Sequence, residues 1–148
     1  LIRAEFLEDY KNNAFIDTKL NNNMEILIDF LLKRNIKVGI VTNKHSRYVT
    51  KIINGLGLDD KLDCVITGDM VLNAKPASDG LIKAAQFLNY KTEEIIYVGD
   101  DERDIIAGRD AGMQTIAADF GFISDDINIA SWKSDLIIRD PLELKDYF

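Results

Sequence analysis

The chain has 148 residues, 18 Lys+Arg against 25 Asp+Glu, a formal net charge of -7 and one Cys. With 47% hydrophobic and 29% charged residues, it is long and apolar enough for one domain with a sizeable core and is no disordered tract. The acidic balance argues against nucleic acid or an anionic membrane surface as a partner, and the lone Cys64 forbids an internal disulfide and points to a reducing cytoplasm.

Residues 1–20 are the least regular. Phe6, Leu7 and Tyr10 suggest a helix, and Asn12-Asn13 and Asn21-Asn22-Asn23 break it. The charges within Leu1–Asp9 are unlike those of a signal peptide, and Glu25 and Asp29 interrupt the best apolar stretch, Met24 to Leu32. The chain opens with Leu rather than Met, and the expectation is a piece of something longer.

Met24, Leu27, Ile28, Leu31 and Leu32 recur at helical spacing and predict an amphipathic helix. Ile36 to Val41 is short, apolar and β-branched, as a buried strand should be. Val49, Ile52, Ile53 and Leu56 form a second helical stripe closed by Gly57. Asp63 to Thr67 is the second strand; Leu81, Ile82, Ala85 and Leu88 make the third helix, with Ser78 or Asp79 near its start. Glu94 to Val98 is the third strand, Glu102 to Ala111 a short helix stopped by Gly112, and Gln114–Ala117 and Asp135–Ile138 are further strands. Asp140-Pro141 with Glu143 opens a final helix. Apolar strands alternating with helices predict an α/β fold, a doubly wound, Rossmann-like parallel sheet with helices on both faces. Ligands in such sheets sit beyond the carboxyl ends of the strands.

The residues at those ends are the informative ones. Thr42-Asn43 follows the first strand and offers a hydroxyl and backbone N–H groups to an anion; a cap or turn is the plainer role. Lys75-Pro76 follows the second; Pro76 restricts Lys75 to extended backbone, and its ammonium could meet a phosphate, or simply solvent. Gly99-Asp100-Asp101-Glu102-Arg103-Asp104 follows the third. Grouped carboxylates repel one another unless a hard cation such as Mg²⁺ joins them. Charge at a helix N-terminus explains Asp104 or Glu102 well and Asp100 less well. His45 reads as a polar loop residue, Cys64 as a small buried hydrophobe and Trp132 as a packing anchor.

Taken in order, Val38–Lys44 (VGIVTNK), Gly68–Asp79 (GDMVLNAKPASD), Tyr97–Asp104 (YVGDDERD) and Ala107–Met113 (AGRDAGM) resemble the haloacid dehalogenase superfamily of phosphatases, and more narrowly its phosphoglycolate phosphatase group. The resemblance implies that Thr42 and the Asn43 backbone bind the phosphoryl group and that Lys75 steadies its charge and the attacking carboxylate. It further implies that Asp100 ligates Mg²⁺, with Asp101 as a second candidate, and that Asp104 supports the metal or Lys75 from behind. Phe120-Gly121-Phe122, Trp132 and Asp140-Pro141-Leu142-Glu143-Leu144 resemble bacterial members that act on phosphoglycolate or on N-acetylmuramic acid 6-phosphate.

That family's nucleophile is the first Asp of an Asp-x-Asp-x-Thr motif on the central strand; no Asp-x-Asp occurs here. The expectation is therefore a core, residues 21–148, lacking its central strand, with residues 1–20 as the remnant of a helical cap and its return. Such a chain would be inactive alone and open to self-association through an unpaired sheet edge. A non-catalytic phosphate- or metal-binding fragment is the alternative. A phospho-receiver domain is excluded by order, since Thr42 and Lys75 precede the acidic run.

Overall fold

The computed structural model describes Leu20, residues 22–120 and residues 123–148. The expected cap remnant and return therefore lie, Leu20 apart, outside the described residues, as do Gly121 and Phe122. Four α-helices alternate with five strands: α1 (Met24–Lys33), β1 (Gly39–Val41), α2 (Ser46–Gly55), β2 (Cys64–Ile66), α3 (Asp79–Leu88), β3 (Ile96–Gly99), α4 (Glu102–Asp110), β4 (Gln114–Ala118) and β5 (Leu136–Ile138). Every strand pair is parallel: β1 with β2, β3 with β4, and β4 with β5.

Two-residue periodicity assigns each strand side chain to a face. Ile40 of β1, Val98 of β3 and Ile116 of β4 pack with Leu27, Ile28 and Leu31 of α1 and Val49 and Ile53 of α2. Their neighbours Val41 and Tyr97 turn to the other face, with Cys64 and Ile66 of β2, Leu81, Ala84 and Ala85 of α3 and Ala107 of α4. The parallel α/β core with helices on both faces is thus as expected. The sheet is divided, however: among the described residues β1-β2 and β3-β4-β5 are separate hydrogen-bonded sheets. The two halves are held together by the apolar clusters rather than by strand pairing.

Other departures are local. β1 starts at Gly39, after the expected Ile36 and Lys37, because Val38 N–H goes to the Asp63 carboxylate at 2.9 Å. Thr92–Glu94 is a 3₁₀ turn rather than the start of β3, and Pro141–Tyr147 is 3₁₀ rather than α. The capping box at Asp140 is present as the sequence indicated, with Asp140 accepting from Leu142 N–H at 2.8 Å. Trp132 anchors a third cluster with Ile105, Ala117 and Ile129. No helix among the described residues is long and apolar enough to cross a membrane.

Cys64 is buried in β2. Burial, aided by the Asp63 charge, pushes its thiol up to about 11. Since the thiolate is the nucleophile, the native protein should be alkylated by iodoacetamide at pH 8 about two orders of magnitude more slowly than the urea-unfolded chain. Equal rates would place Cys64 outside the core.

Candidate active site

Each strand hands over to a polar residue at its carboxyl end: Thr42 after β1, Thr67 after β2, Asp100 after β3 and Asp119 after β4. Parallel strands put these ends on one edge. On that edge hydrogen bonds join Asn43 to Lys75 and Lys75 to Asp104, and Thr42 and Asp100 follow the ends of β1 and β3.

At its centre is a buried ion pair. Lys75 Nζ lies 2.6 Å from Asp104 Oδ1, with the two side chains 4% and 2% exposed. The ammonium also donates to the Val41 carbonyl at 3.3 Å, which ties the loop before α3 to the end of β1. Asp104 Oδ1 receives the Tyr97 hydroxyl at 3.4 Å, and Oδ2 receives the Asp101 N–H at 3.2 Å. The Tyr97 ring also faces the ammonium, 5.9 Å from centroid to Nζ. A buried ion pair is tolerated only when its remaining valences are satisfied in this way. Asp104 reaches the pair because it sits in the first turn of α4 directly over Gly99; a Cβ at Gly99 would overlap its side chain.

Asn43 clamps the Lys75 backbone from both sides. Its Oδ1 accepts the Lys75 N–H at 2.9 Å and its Nδ2 donates to the Lys75 carbonyl at 3.1 Å. This side-chain role was not legible in the sequence, where only the Asn43 backbone stood out. The two residues are 32 positions apart, and no local pattern marks the pair. The Lys75-Pro76 peptide is cis. Thr42 Oγ1 accepts from Lys44 N–H at 3.2 Å, a turn contact, while Thr42 N–H continues the β1–β2 ladder to the Ile66 carbonyl at 2.9 Å.

Asp100 and Asp101 differ. Asp100 directly follows β3, with Oδ1 shielded from solvent. Asp101 caps α4: Oδ1 accepts the Arg103 N–H at 2.8 Å, and Arg103 Nε and Nη2 reach its two oxygens at 2.9 and 3.0 Å. Burial works against the Asp101 charge, but the Arg103 hydrogen bonds outweigh it and hold the carboxyl below the usual range. Asp101 is thus engaged as the cap of α4. Among the described residues no three His, Cys, Asp or Glu side chains converge as a metal cage. Mg²⁺ does not demand one, since one or two carboxylates with water and substrate oxygens suffice. A shielded Asp100 oxygen fits that partial role.

His45 is not a plain loop residue: its Nδ1 accepts the Arg47 N–H at 3.2 Å and caps α2. Its position just ahead of Ser46 was the available signal.

The family profile described as haloacid dehalogenase-like hydrolase matches residues 2–118. The chain belongs to the haloacid dehalogenase-like hydrolase family. It is 39% identical over 144 residues to an N-acetylmuramic acid 6-phosphate phosphatase of Pseudomonas putida, covering 97% of this chain and 65% of the relative. It is 34% identical over 140 residues to a phosphoglycolate phosphatase of Xanthomonas campestris, covering 95% of this chain and 63% of the relative. The chain therefore spans less than two thirds of either relative. The crystal structure of a predicted phosphoglycolate phosphatase from Haemophilus somnus superposes with a TM-score of 0.81 at 24% identity, over 88% of this chain and 57% of that one. That likeness is one of fold.

The two hydrogen bonds of the Asn43 clamp predict that the placing of Lys75 depends on Asn43. Asn43→Ala removes two part-buried hydrogen bonds and should cost about 1–3 kcal/mol in urea unfolding. A change under about 0.5 kcal/mol, the usual range for surface substitutions, would mean the clamp holds nothing.

Proposed function

We propose that this chain is the phosphoryl-binding part of a Mg²⁺-dependent phosphatase that hydrolyses a small phosphorylated metabolite. The observation that carries this reading is the buried Lys75–Asp104 pair at 2.6 Å, set among Thr42, Asn43 and Asp100 on one strand edge. A lysine fixed by Asp104, Val41 and the Asn43 clamp is a cation whose position is set before substrate arrives. Catalysis of phosphoryl transfer consists mostly of such positioning and charge stabilisation.

In this reading the Thr42 hydroxyl and the Asn43 N–H hydrogen-bond the non-bridging phosphoryl oxygens. Lys75 balances their charge, and Asp104 keeps Lys75 aimed. Asp100 would hold Mg²⁺, which supplies further neutralisation of phosphoryl charge when bound. The attacking carboxylate is assigned to a residue outside these 148, in keeping with the lack of an Asp-x-Asp sequence.

The 39% identity to the Pseudomonas putida protein favours N-acetylmuramic acid 6-phosphate as substrate. The 34% identity to the Xanthomonas campestris protein supports 2-phosphoglycolate as the second reading.

The test is phosphate release with Mg²⁺ from both compounds and from p-nitrophenyl phosphate. It compares residues 1–148 with the full-length gene product. The expected result is activity of the full-length protein only, lowered at least about a hundredfold in Asp100→Asn, as loss of a buried electrostatic group in a phosphoryl site requires. Release by residues 1–148 alone would overturn the external nucleophile, and an undiminished Asp100→Asn rate would overturn the metal assignment. Silence of every form would favour a non-catalytic phosphate-binding protein.

A further inference from the structure

The turn that carries Thr42 and Asn43 is itself held in place by a carboxylate that lies outside the cluster described above. The residues after β2, Thr67 to Met70, lie against those after β1. Gly68 N–H donates to the Lys44 carbonyl at 2.8 Å, and a Cβ at Gly68 would overlap the Asn43 carbonyl. Next to it, Asp69 Oδ1 accepts the Ser46 N–H at 2.8 Å and the Thr67 hydroxyl at 2.7 Å. Asp69 Oδ2 accepts the Ser46 hydroxyl at 2.8 Å and stands 3.7 Å from His45 Nε2. The Thr67 hydroxyl first, then the two donors of Ser46, hold the Asp69 carboxyl well below the usual range.

This is more than a helix cap. α2 already has a cap of its own in His45, which takes the Arg47 N–H. Asp69 instead bonds at once to Thr67, at the end of β2, and to Ser46, at the far side of the turn that begins at Thr42. It therefore resists sliding of one strand exit past the other. The Asn43 clamp then passes that fixed position on to Lys75.

We propose that Asp69 is a positioning residue for phosphoryl recognition, locking residues 42–46 so that Thr42 and Asn43 keep a set relation to Lys75. This rests on the phosphatase reading for its effect on substrate, but not for its effect on the loop.

The experiment compares the full-length protein with Asp69→Ala and Asp69→Asn. The Ki for inorganic phosphate, KM and kcat, and backbone amide exchange would be measured for each. Loss of hydrogen bonds to a charged acceptor should raise the phosphate Ki and KM about tenfold or more in Asp69→Ala, with a smaller change in kcat. Asp69→Asn keeps one carbonyl acceptor and should fall between. The decisive amide is Lys75, which Asp69 does not touch and which donates to Asn43 Oδ1. Its exchange should quicken about tenfold in Asp69→Ala, as local opening becomes easier. A lowered melting temperature with unchanged Ki and KM would reduce Asp69 to a cap and overturn the proposal. If the wild-type protein neither binds nor releases phosphate, the phosphatase reading falls. Unchanged Lys75 exchange would then still overturn the positioning role, and faster exchange would sustain it.

Discussion

A charged lysine and a charged aspartate, both almost wholly out of water, must be held together or neither can be there. The rest of the strand edge is arranged around that constraint. Lys75 arrives from the loop before α3, Asp104 from the first turn of α4, Val41 from the end of β1 and Tyr97 from within β3. The pair therefore joins the two halves of a sheet that strand pairing does not join. Its attraction works against desolvation, and Val41, Tyr97 and the Asp101 N–H satisfy what the two charges leave over. Glycine at position 99 is the geometric condition, since any side chain there would displace Asp104.

A hierarchy of supports follows from this. The apolar clusters fix the strands, and the strands present Thr42, Asp100 and the loop of Lys75 on one edge. Asn43 then sets the backbone of Lys75, while the Thr67–Asp69 loop sets the turn that carries Asn43. The outer supports, Asn43 and Asp69, are exposed residues, whereas the ion pair is buried. Asp69 is 30% exposed, against 2% for Asp104. Loss of an outer support should accordingly shift positions, whereas loss of an inner one should unfold the edge.

The helices and strands were legible because burial imposes simple periods. Leu27, Ile28 and Leu31 mark the face of α1, and Ile40 and Val41 show that a strand covered on both faces needs apolar residues at consecutive positions. The boundaries were less legible where a distant partner decides them, as Asp63 does for Val38. Thr42, Lys75, Asp100 and Asp104 could be picked out because their chemistry is unusual at strand ends. The supports could not. Asn43 stood out only for its backbone, the side-chain roles of Asn43, Tyr97 and Asp69 arise from contacts made only after folding, and Asp101 resembled its neighbour Asp100 until Arg103 was seen to engage it. The division of the sheet was likewise invisible in periodicity, because Gly39–Val41 and Ile96–Gly99 each read as a buried strand whatever lies beside them.

The central claim is that the Lys75–Asp104 pair holds this edge as one unit. A double-mutant cycle on unfolding free energy tests it most directly, using Lys75→Met, Asp104→Leu and both together. Each single substitution strands a buried charge and should cost about 3–5 kcal/mol, whereas the double variant, with neither charge left, should cost no more than either alone. Costs that add within about 0.5 kcal/mol would mean the two residues act independently, and would contradict the account.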